Sequence, residues 1–458
     1  MLKQTFAAFA VAVFTSTGAV AETLTDAFVS AYKTSNLLVQ NRALLRAADE
    51  DVVQSRAALL PVIGFVTQAS FRSPATGSFG VKIDNWSGAM ALNLSLTLYD
   101  NGVTRYSTDA AKETVLGLRA ALLQVEQQVL FSTVQSYMEM IRAAQAVSLG
   151  QNNVRLITQE LRAARDRFEV GEVTRTDVAI AEARLAAARG NLAANLGDLE
   201  VARESYKAVV GRYPGNLRWP SSPPMTARSE DAVKAIAVRN HPSLEEAQRQ
   251  VNVSEANVLR ARAAMGPNVT TSLRGQVDDS FDKDFSANLT LNVPIYQGGA
   301  RRSVLYQAIA RRDAARSNLL QAVVQIKQNA GVAWSNLSVA VAQTEASRRQ
   351  VRASQVAYNG VREEATLGSR TTLDVLNAEQ ELLDARSTLI AAEVQQYVSV
   401  YALLASMGLL TAEHLNLGVV IYDPAEYYRF TTTRDPLRVL SPQGKRLDGV
   451  LRALRRDN

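Results

Sequence analysis

The chain repeats itself. Residues 171–211 and 368–408 align without a gap at an offset of 197. Gly171, Thr174, Asp177, Val178, Ala181, Glu182, Leu185, Ala188, Arg189, Leu192 and Gly211 recur as Gly368, Thr371, Asp374, Val375, Ala378, Glu379, Leu382, Ala385, Arg386, Leu389 and Gly408. The same offset carries Tyr99 and Gly102 onto Tyr296 and Gly299. Leu60-Pro61 meets Gly266-Pro267 at a slightly different offset, so the first copy holds a longer insertion between Pro61 and Tyr99. Helical bias alone would reproduce some matches, but paired Gly and Asp outside the apolar stripe mark a duplication. A duplicated chain must fold as two equivalent halves, here 22–211 and 230–408, divided by a linker over 212–229 that contains Trp219-Pro220-Ser221-Ser222-Pro223-Pro224.

Each half reads in the same order. A helix comes first, over about 24–58 and 230–264, ended by Pro61 or by Gly266-Pro267. Two strands follow (about 61–72 and 87–99; 267–277 and 285–296). A very long helix, a Gly turn and a second long helix close each half: about 102–170 and 173–211, then 299–367 and 370–408.

The strands alternate. Met90, Leu92, Leu94, Leu96 and Leu98 share one face, against Asn93, Ser95 and Thr97. Phe285, Ala287, Leu289, Leu291, Val293 and Ile295 face away from Ser286, Asn288, Thr290 and Asn292. Ile63, Phe65 and Phe71 oppose Gln68, Ser70 and Arg72, and Val269, Leu273 and Val277 oppose Thr270, Ser272 and Arg274. Such period-2 patterning fits a half-buried soluble sheet or a transmembrane barrel strand. Two features favour the barrel. No segment is evidently suited to cover the apolar faces, and the first 21 residues read as an export signal. Lys3 is its positive end, Phe6–Phe14 its short apolar stretch and Ala19-Val20-Ala21 its cleavage site, which places the mature start at Glu22. That apolar run is shorter than a spanning helix needs, and no later stretch resembles one. Four strands cannot close a barrel, and lipid tolerates no open sheet edge. Closure takes at least about eight strands, so the chain must oligomerise; two copies would suffice, and three would supply twelve.

Residues 103–169 and 300–366 lack Pro, and at about 1.5 Å rise per residue each helix would run on the order of 100 Å. Leu118, Leu122, Val125 and Val129 follow heptad-like spacing, as do Leu319, Val323, Ile326, Ala330, Ala333 and Leu337. On the return helix Val375, Ala378, Leu382, Ala385, Leu389 and Ala392 are spaced 3, 4, 3, 4, 3. A second set of small residues, Ala179, Ala183, Ala186, Ala187 and Ala193, indicates helices with neighbours on two sides, as a barrel of helices requires. A coiled-coil periplasmic scaffold without a pore is the alternative, and would be soluble.

Composition excludes other classes. There is no Cys, so disulfides, thiolate metal sites and a Cys nucleophile are absent. His241 and His414 have no partners at metal or catalytic spacing, and His241-Pro242 suits a turn at a helix start. Neither an enzyme nor a cofactor is indicated. The net charge of +6 is spread along 458 residues and does not form a nucleic-acid footprint. Residues 423–458 are basic, with Arg434, Arg438, Lys445, Arg446, Arg452, Arg455 and Arg456, and read as a solvated tail.

Two segments carry a family resemblance. Phe168-Glu169-Val170-Gly171-Glu172-Val173-Thr174-Arg175-Thr176-Asp177-Val178 resembles the first helix-turn-helix tip of the TolC family of outer-membrane efflux and secretion ducts. Leu367-Gly368-Ser369-Arg370-Thr371-Thr372-Leu373-Asp374-Val375-Leu376-Asn377-Ala378-Glu379 resembles its second. Tyr99-Asp100-Asn101-Gly102 and Tyr296-Gln297-Gly298-Gly299 are similar to the junctions where strands leave the barrel for the helices. The resemblance covers the mature chain to about residue 420.

It implies an α+β membrane protein of the Gram-negative outer membrane: a homotrimer with a twelve-stranded β-barrel (four strands per chain) set in outer-membrane lipid and continuous with a twelve-helix barrel in the periplasm. A mixed equatorial belt would be built from the linker and from residues after Gly408. Partners would be a periplasmic membrane-fusion adaptor, docking at Val170, Gly171, Thr174, Leu367, Gly368, Ser369 and Thr371, and an inner-membrane ABC or RND pump. The tip sequence leans towards type I protein secretion over multidrug efflux. By family position, Arg370, Thr176 and Asp177 would form a latch across the closed entrance, with Ala365 where a Tyr usually stands. Asp374 would form a constricting carboxylate ring, and Asn377 sits where a second carboxylate is found in some members. Apart from any resemblance, Gly171 and Gly368 suit a left-handed turn, and the following Thr and Asp suit a helix start.

Overall fold

The computed structural model describes residues 22–72, 85–221, 227–423, 425 and 427–429. The export signal, the Ser222-Pro223-Pro224 part of the linker and nearly all of the basic tail lie outside the described residues. The elements run α1 (Leu24–Thr34), α2 (Asn36–Ala57), β1 (Val62–Arg72), β2 (Asn85–Tyr99), α3 (Val103–Glu169), α4 (Arg175–Val210), α5 (Glu230–Asn240), α6 (Pro242–Ala263), β3 (Asn268–Asp278), β4 (Lys283–Asn292), α7 (Ala300–Thr366) and α8 (Thr372–Ser406).

Three boundaries differ from the sequence reading. The first helix of each half is two helices, broken at Ser35 and at His241. Pro242 explains the second break: it lacks an N–H and drives the preceding residue out of the helical region, and His241 then caps α6 by accepting the Ser243 N–H. No such breaker marks the first. There Ser30 Oγ and Thr34 Oγ1 donate to the Val210 carbonyl at 2.9 and 3.1 Å, tying the end of α1 to the end of α4. The last strand also stops early, at Asn292 rather than near 296, because Pro294 cannot donate to a ladder.

The two compact units do not follow the sequence halves. One comprises the described residues up to Asn36 with Glu126–Arg239 and Gln328–Val420; the other comprises Leu37–Val125, Asn240–Lys327 and residues from Ile421 onward. Each draws on both repeats, since α3 and α7 continue from one unit into the other.

The second unit holds the sheet, an antiparallel meander in the order β1-β2-β3-β4, so the two repeats meet at the β2–β3 ladder. Its register collects the apolar positions: Phe65 faces Leu92, Leu94 faces Leu273, and Leu273 faces Ala287. The polar positions share the other face, with Asn93 opposite Arg274 and Arg274 opposite Ser286. Within one chain this apolar face is uncovered, with Phe65, Leu92, Phe285 and Leu289 all exposed.

The first unit is helical. On α7 a narrow stripe is buried, through Ala330, Leu337, Ala340, Thr344, Ser347, Ser354 and Tyr358, in steps of three, four or seven residues. Val332, Val339 and Val356 lie off that stripe and are exposed. On α4, Ala181, Leu185 and Ala188 are buried, while Ala179, Ala183, Ala186, Ala187 and Ala193 are exposed. One side of each helix is used inside the chain, and a second apolar side is left without cover.

The start of the described chain is anchored in this unit. Glu22 makes a parallel bridge with Leu217, and its carboxylate is buried. Oε1 accepts from Tyr206 Oη and Arg212 Nη2, both at 2.7 Å, and Oε2 accepts from the Gly215 N–H at 2.9 Å. Burial first, and the hydrogen bond to Glu22 second, push the Tyr206 phenol well above its usual range, which keeps it a neutral donor.

Candidate functional site at the helix-hairpin tips

Both hairpin turns obey one local logic. α3 and α7 end at Glu169 and Thr366, and the chain reverses through Gly171 (φ +83°) and Gly368 (φ +79°), in the left-handed region where a side chain is strained. The return helices open on twin capping boxes. Thr174 Oγ1 accepts the Asp177 N–H at 3.3 Å, and Asp177 Oδ2 accepts from the Thr174 N–H and hydroxyl at 2.9 and 2.8 Å. Thr371 and Asp374 repeat this at 3.2, 3.0 and 2.9 Å. The Thr hydrogen bonds favour the charged form and hold both carboxyls below the usual carboxylate range.

The two tips enclose a cavity of about 780 Å³ lined by Glu172, Thr174, Asp177, Gly368, Arg370 and Thr371, among others. The fold therefore brings Arg370 and Asp177, 193 positions apart in sequence, to one cavity wall. Within the chain Arg370 Nε donates to Glu364 at 2.8 Å, a partner that sequence reasoning missed. Thr176 is exposed on the first turn of α4. Asn377 accepts from Arg184 Nη2 at 3.1 Å, which ties α8 to α4, while Asp374 is committed to its cap. Ser369 donates through N–H and hydroxyl to the Glu364 carbonyl, closing the second turn. Val170 (71% exposed) and Leu367 (85% exposed) project from the tips as bare apolar side chains.

Packing above the tips joins the hairpins. Leu376 of α8 sits in a buried cluster with Ile157, Leu161, Ala181, Leu185 and Ala188 of α3 and α4. Tyr358, Val375 and Leu382 form a second cluster between α7 and α8. Glu379 is buried beside them, which the spacing could have disclosed: it falls four after Val375 and three before Leu382, on the apolar stripe.

Among the described residues no group of three or more His, Cys, Asp or Glu could hold a metal, and no helix is long and apolar enough to cross a membrane. The sequence model of the outer membrane efflux proteins matches residues 29–212 and 235–409, spanning both repeats. The chain belongs to the outer membrane efflux protein family. It is 34% identical over 425 residues to the outer membrane efflux protein BepC of Brucella suis biovar 1, covering 91% of this chain and 92% of that one. Identity to the outer membrane protein TolC of Escherichia coli K12 is 24% over 417 residues, covering 86% and 84%. Among solved structures, the outer membrane channel CmeC of Campylobacter jejuni superposes with a TM-score of 0.74 at 16% identity, covering 90% of this chain and 89% of that one. Like other members of this outer membrane efflux family, the protein is a channel and not an enzyme, resides in the Gram-negative outer membrane and extends into the periplasm. Its fold class is that of the trimeric channels, with four strands per chain entering a β-barrel and the long helices entering a helical barrel.

Proposed function

We propose that three copies of this chain form a passive export duct, fed by an inner-membrane pump through a periplasmic adaptor seated on the hairpin tips. The observation that carries this reading is the sheet. β1 and β4 are open edges and one face is mainly apolar and largely exposed, a combination that lipid accepts only when neighbouring copies close the barrel. The uncovered Ala face of α4 and the off-stripe Val residues of α7 give the helices a second side for those copies. Val170 and Leu367, exposed at the turns, suit an apolar adaptor contact, with Gly171, Thr174, Gly368, Ser369 and Thr371 shaping it. The duct performs no chemistry; ATP or a proton gradient spent at an ABC or RND pump drives the cargo.

At the entrance, Arg370 serves as a latch to Thr176 and Asp177, and Asp374 forms the one carboxylate ring, with Asn377 contributing no charge. Arg370 and Asp177 already line the same cavity, so closing the latch requires Arg370 to exchange Glu364 for Asp177. For cargo, the first tip's Val173–Val178 run favours type I secretion of unfolded protein. A second reading, extrusion of small molecules, rests on the relative BepC, which is named an efflux protein. Deleting the gene decides between them. Loss of a secreted protein from the medium with unchanged drug tolerance supports secretion; hypersensitivity to several drugs with an unchanged secretome supports efflux. Fractionation of the protein with soluble periplasm would overturn both.

A further inference from the structure

One pair of charges shared by the two repeats is arranged differently in each. Arg165 and Glu182 of the first hairpin recur, at the 197 offset, as Arg362 and Glu379 of the second. In the first hairpin the pair is made, with Arg165 Nη2 donating to Glu182 Oε1 at 2.5 Å between two half-exposed side chains. In the second it is not. Glu379 is 5% exposed, and neither carboxyl oxygen has a hydrogen-bond partner among the described residues. An unpaired buried carboxylate is among the most costly groups a fold can contain, so this carboxyl is neutral where it lies or is about to leave.

We propose that Glu379 is a proton-controlled contact of the entrance. Neutral, it stays buried in the seam where α8 packs on Tyr358 of α7 and faces α3, and keeps the hairpins together; ionised, it moves out to Arg362, as Glu182 does to Arg165, and frees the second hairpin to shift. This rests on the export-duct reading.

The surroundings support a neutral resting form. Glu160 of α3 opposes ionisation, Arg362 of α7 favours it, and Tyr358 of α7 shares the site, its phenol raised by burial and by Glu379. Arg386 of α8 faces Tyr358 but is held by Gln355, and Arg184 of α4 is held by Asn377. Burial, more than Glu160, pushes the Glu379 carboxyl up from 4.5 to about 7. The folded value lies above the hydrated one, so the buried arrangement is penalised in full above about pH 7, progressively less as pH falls, and not at all below 4.5. Acid therefore tightens the seam. The caps act elsewhere on the scale, since Asp177 and Asp374 titrate below 3.8 and cannot produce a transition near neutrality.

The test is single-channel recording of the full protein in planar bilayers from pH 5 to 9, paired with amide exchange of residues 376–382 in detergent. Wild type should open more readily as pH rises from 5, by about tenfold per unit for each subunit's group that titrates, with the rise complete near pH 7, and amide protection should fall in parallel. Glu379→Gln, which mimics the neutral carboxyl, should hold the low-opening, protected state at every pH, whereas Arg362→Gln should carry the rise to higher pH. A near-neutral transition that survives in Glu379→Gln, or exchange that ignores pH, would overturn the inference while leaving the duct intact. Absence of any pore at all pH values would instead remove the duct reading, and the exchange measurement would still judge Glu379.

Discussion

Glu22 shows how the anchoring of the chain start can be put to a number. Substituting Ala removes three hydrogen bonds, but they do not weigh equally. The Arg212 side chain is 53% exposed, and a pair at such a site is worth under about 1 kcal/mol. Gly215 is an exposed residue, and water takes over as the acceptor for its N–H. Tyr206 is fully buried, so its hydroxyl is left without an acceptor, at a cost of roughly 1–3 kcal/mol. The Tyr206 contact therefore dominates. Glu22→Ala should weaken local closure by about 2 kcal/mol, a roughly thirtyfold faster opening by amide exchange. The reporter is the Arg218 amide, which donates to the Glu22 carbonyl and is not touched directly by the substitution. Tyr206→Phe completes a double-mutant cycle and should recover most of the loss, giving a coupling of about 1–2 kcal/mol. Additive effects of the two changes would refute the reasoning, and would point to the Arg212 and Gly215 contacts instead.

Three further outcomes are expected. Asp374→Ala should weaken block of the channel by divalent cations, and block identical to wild type would remove Asp374 from the constriction. Asp177→Asn keeps an acceptor for the Thr174 N–H but loses the charge; it should raise resting conductance through a loosened latch, while unchanged conductance would leave Asp177 as a cap alone. On the sheet, Leu92→Arg places a charge on the apolar face and should cost roughly 2–4 kcal/mol and most of the heat-resistant trimer, whereas Asn93→Arg on the polar face should assemble normally. Equal yields of the two variants on a denaturing gel would contradict the assignment of faces.

Most of the architecture was legible because it rests on periodicity. Alternation placed Phe65, Leu92, Leu273 and Ala287 on one face without knowledge of the register, since a one-residue slip would have turned a whole strand over. The tip turns were legible because Gly, Thr and Asp at fixed spacing have a local reason to be there. The break at Ser35 was not, because it depends on Ser30 and Thr34 reaching the carbonyl of Val210, some 180 residues away. Arg370 illustrates the same limit. Family position pointed it at Thr176 and Asp177, whereas one chain pairs it with Glu364, six residues upstream, and no periodic signal distinguishes those partners. Glu379 was readable in principle as a charge on an apolar stripe, but its lack of a partner is visible only in three dimensions.

The central claim is that this chain closes into a pore with copies of itself. Conductance in planar bilayers, measured on protein that runs as a detergent-stable trimer, tests it most directly. The account predicts discrete, long-lived conductance steps from trimeric protein and none from dissociated monomer. A folded protein that stays monomeric and never conducts would contradict it.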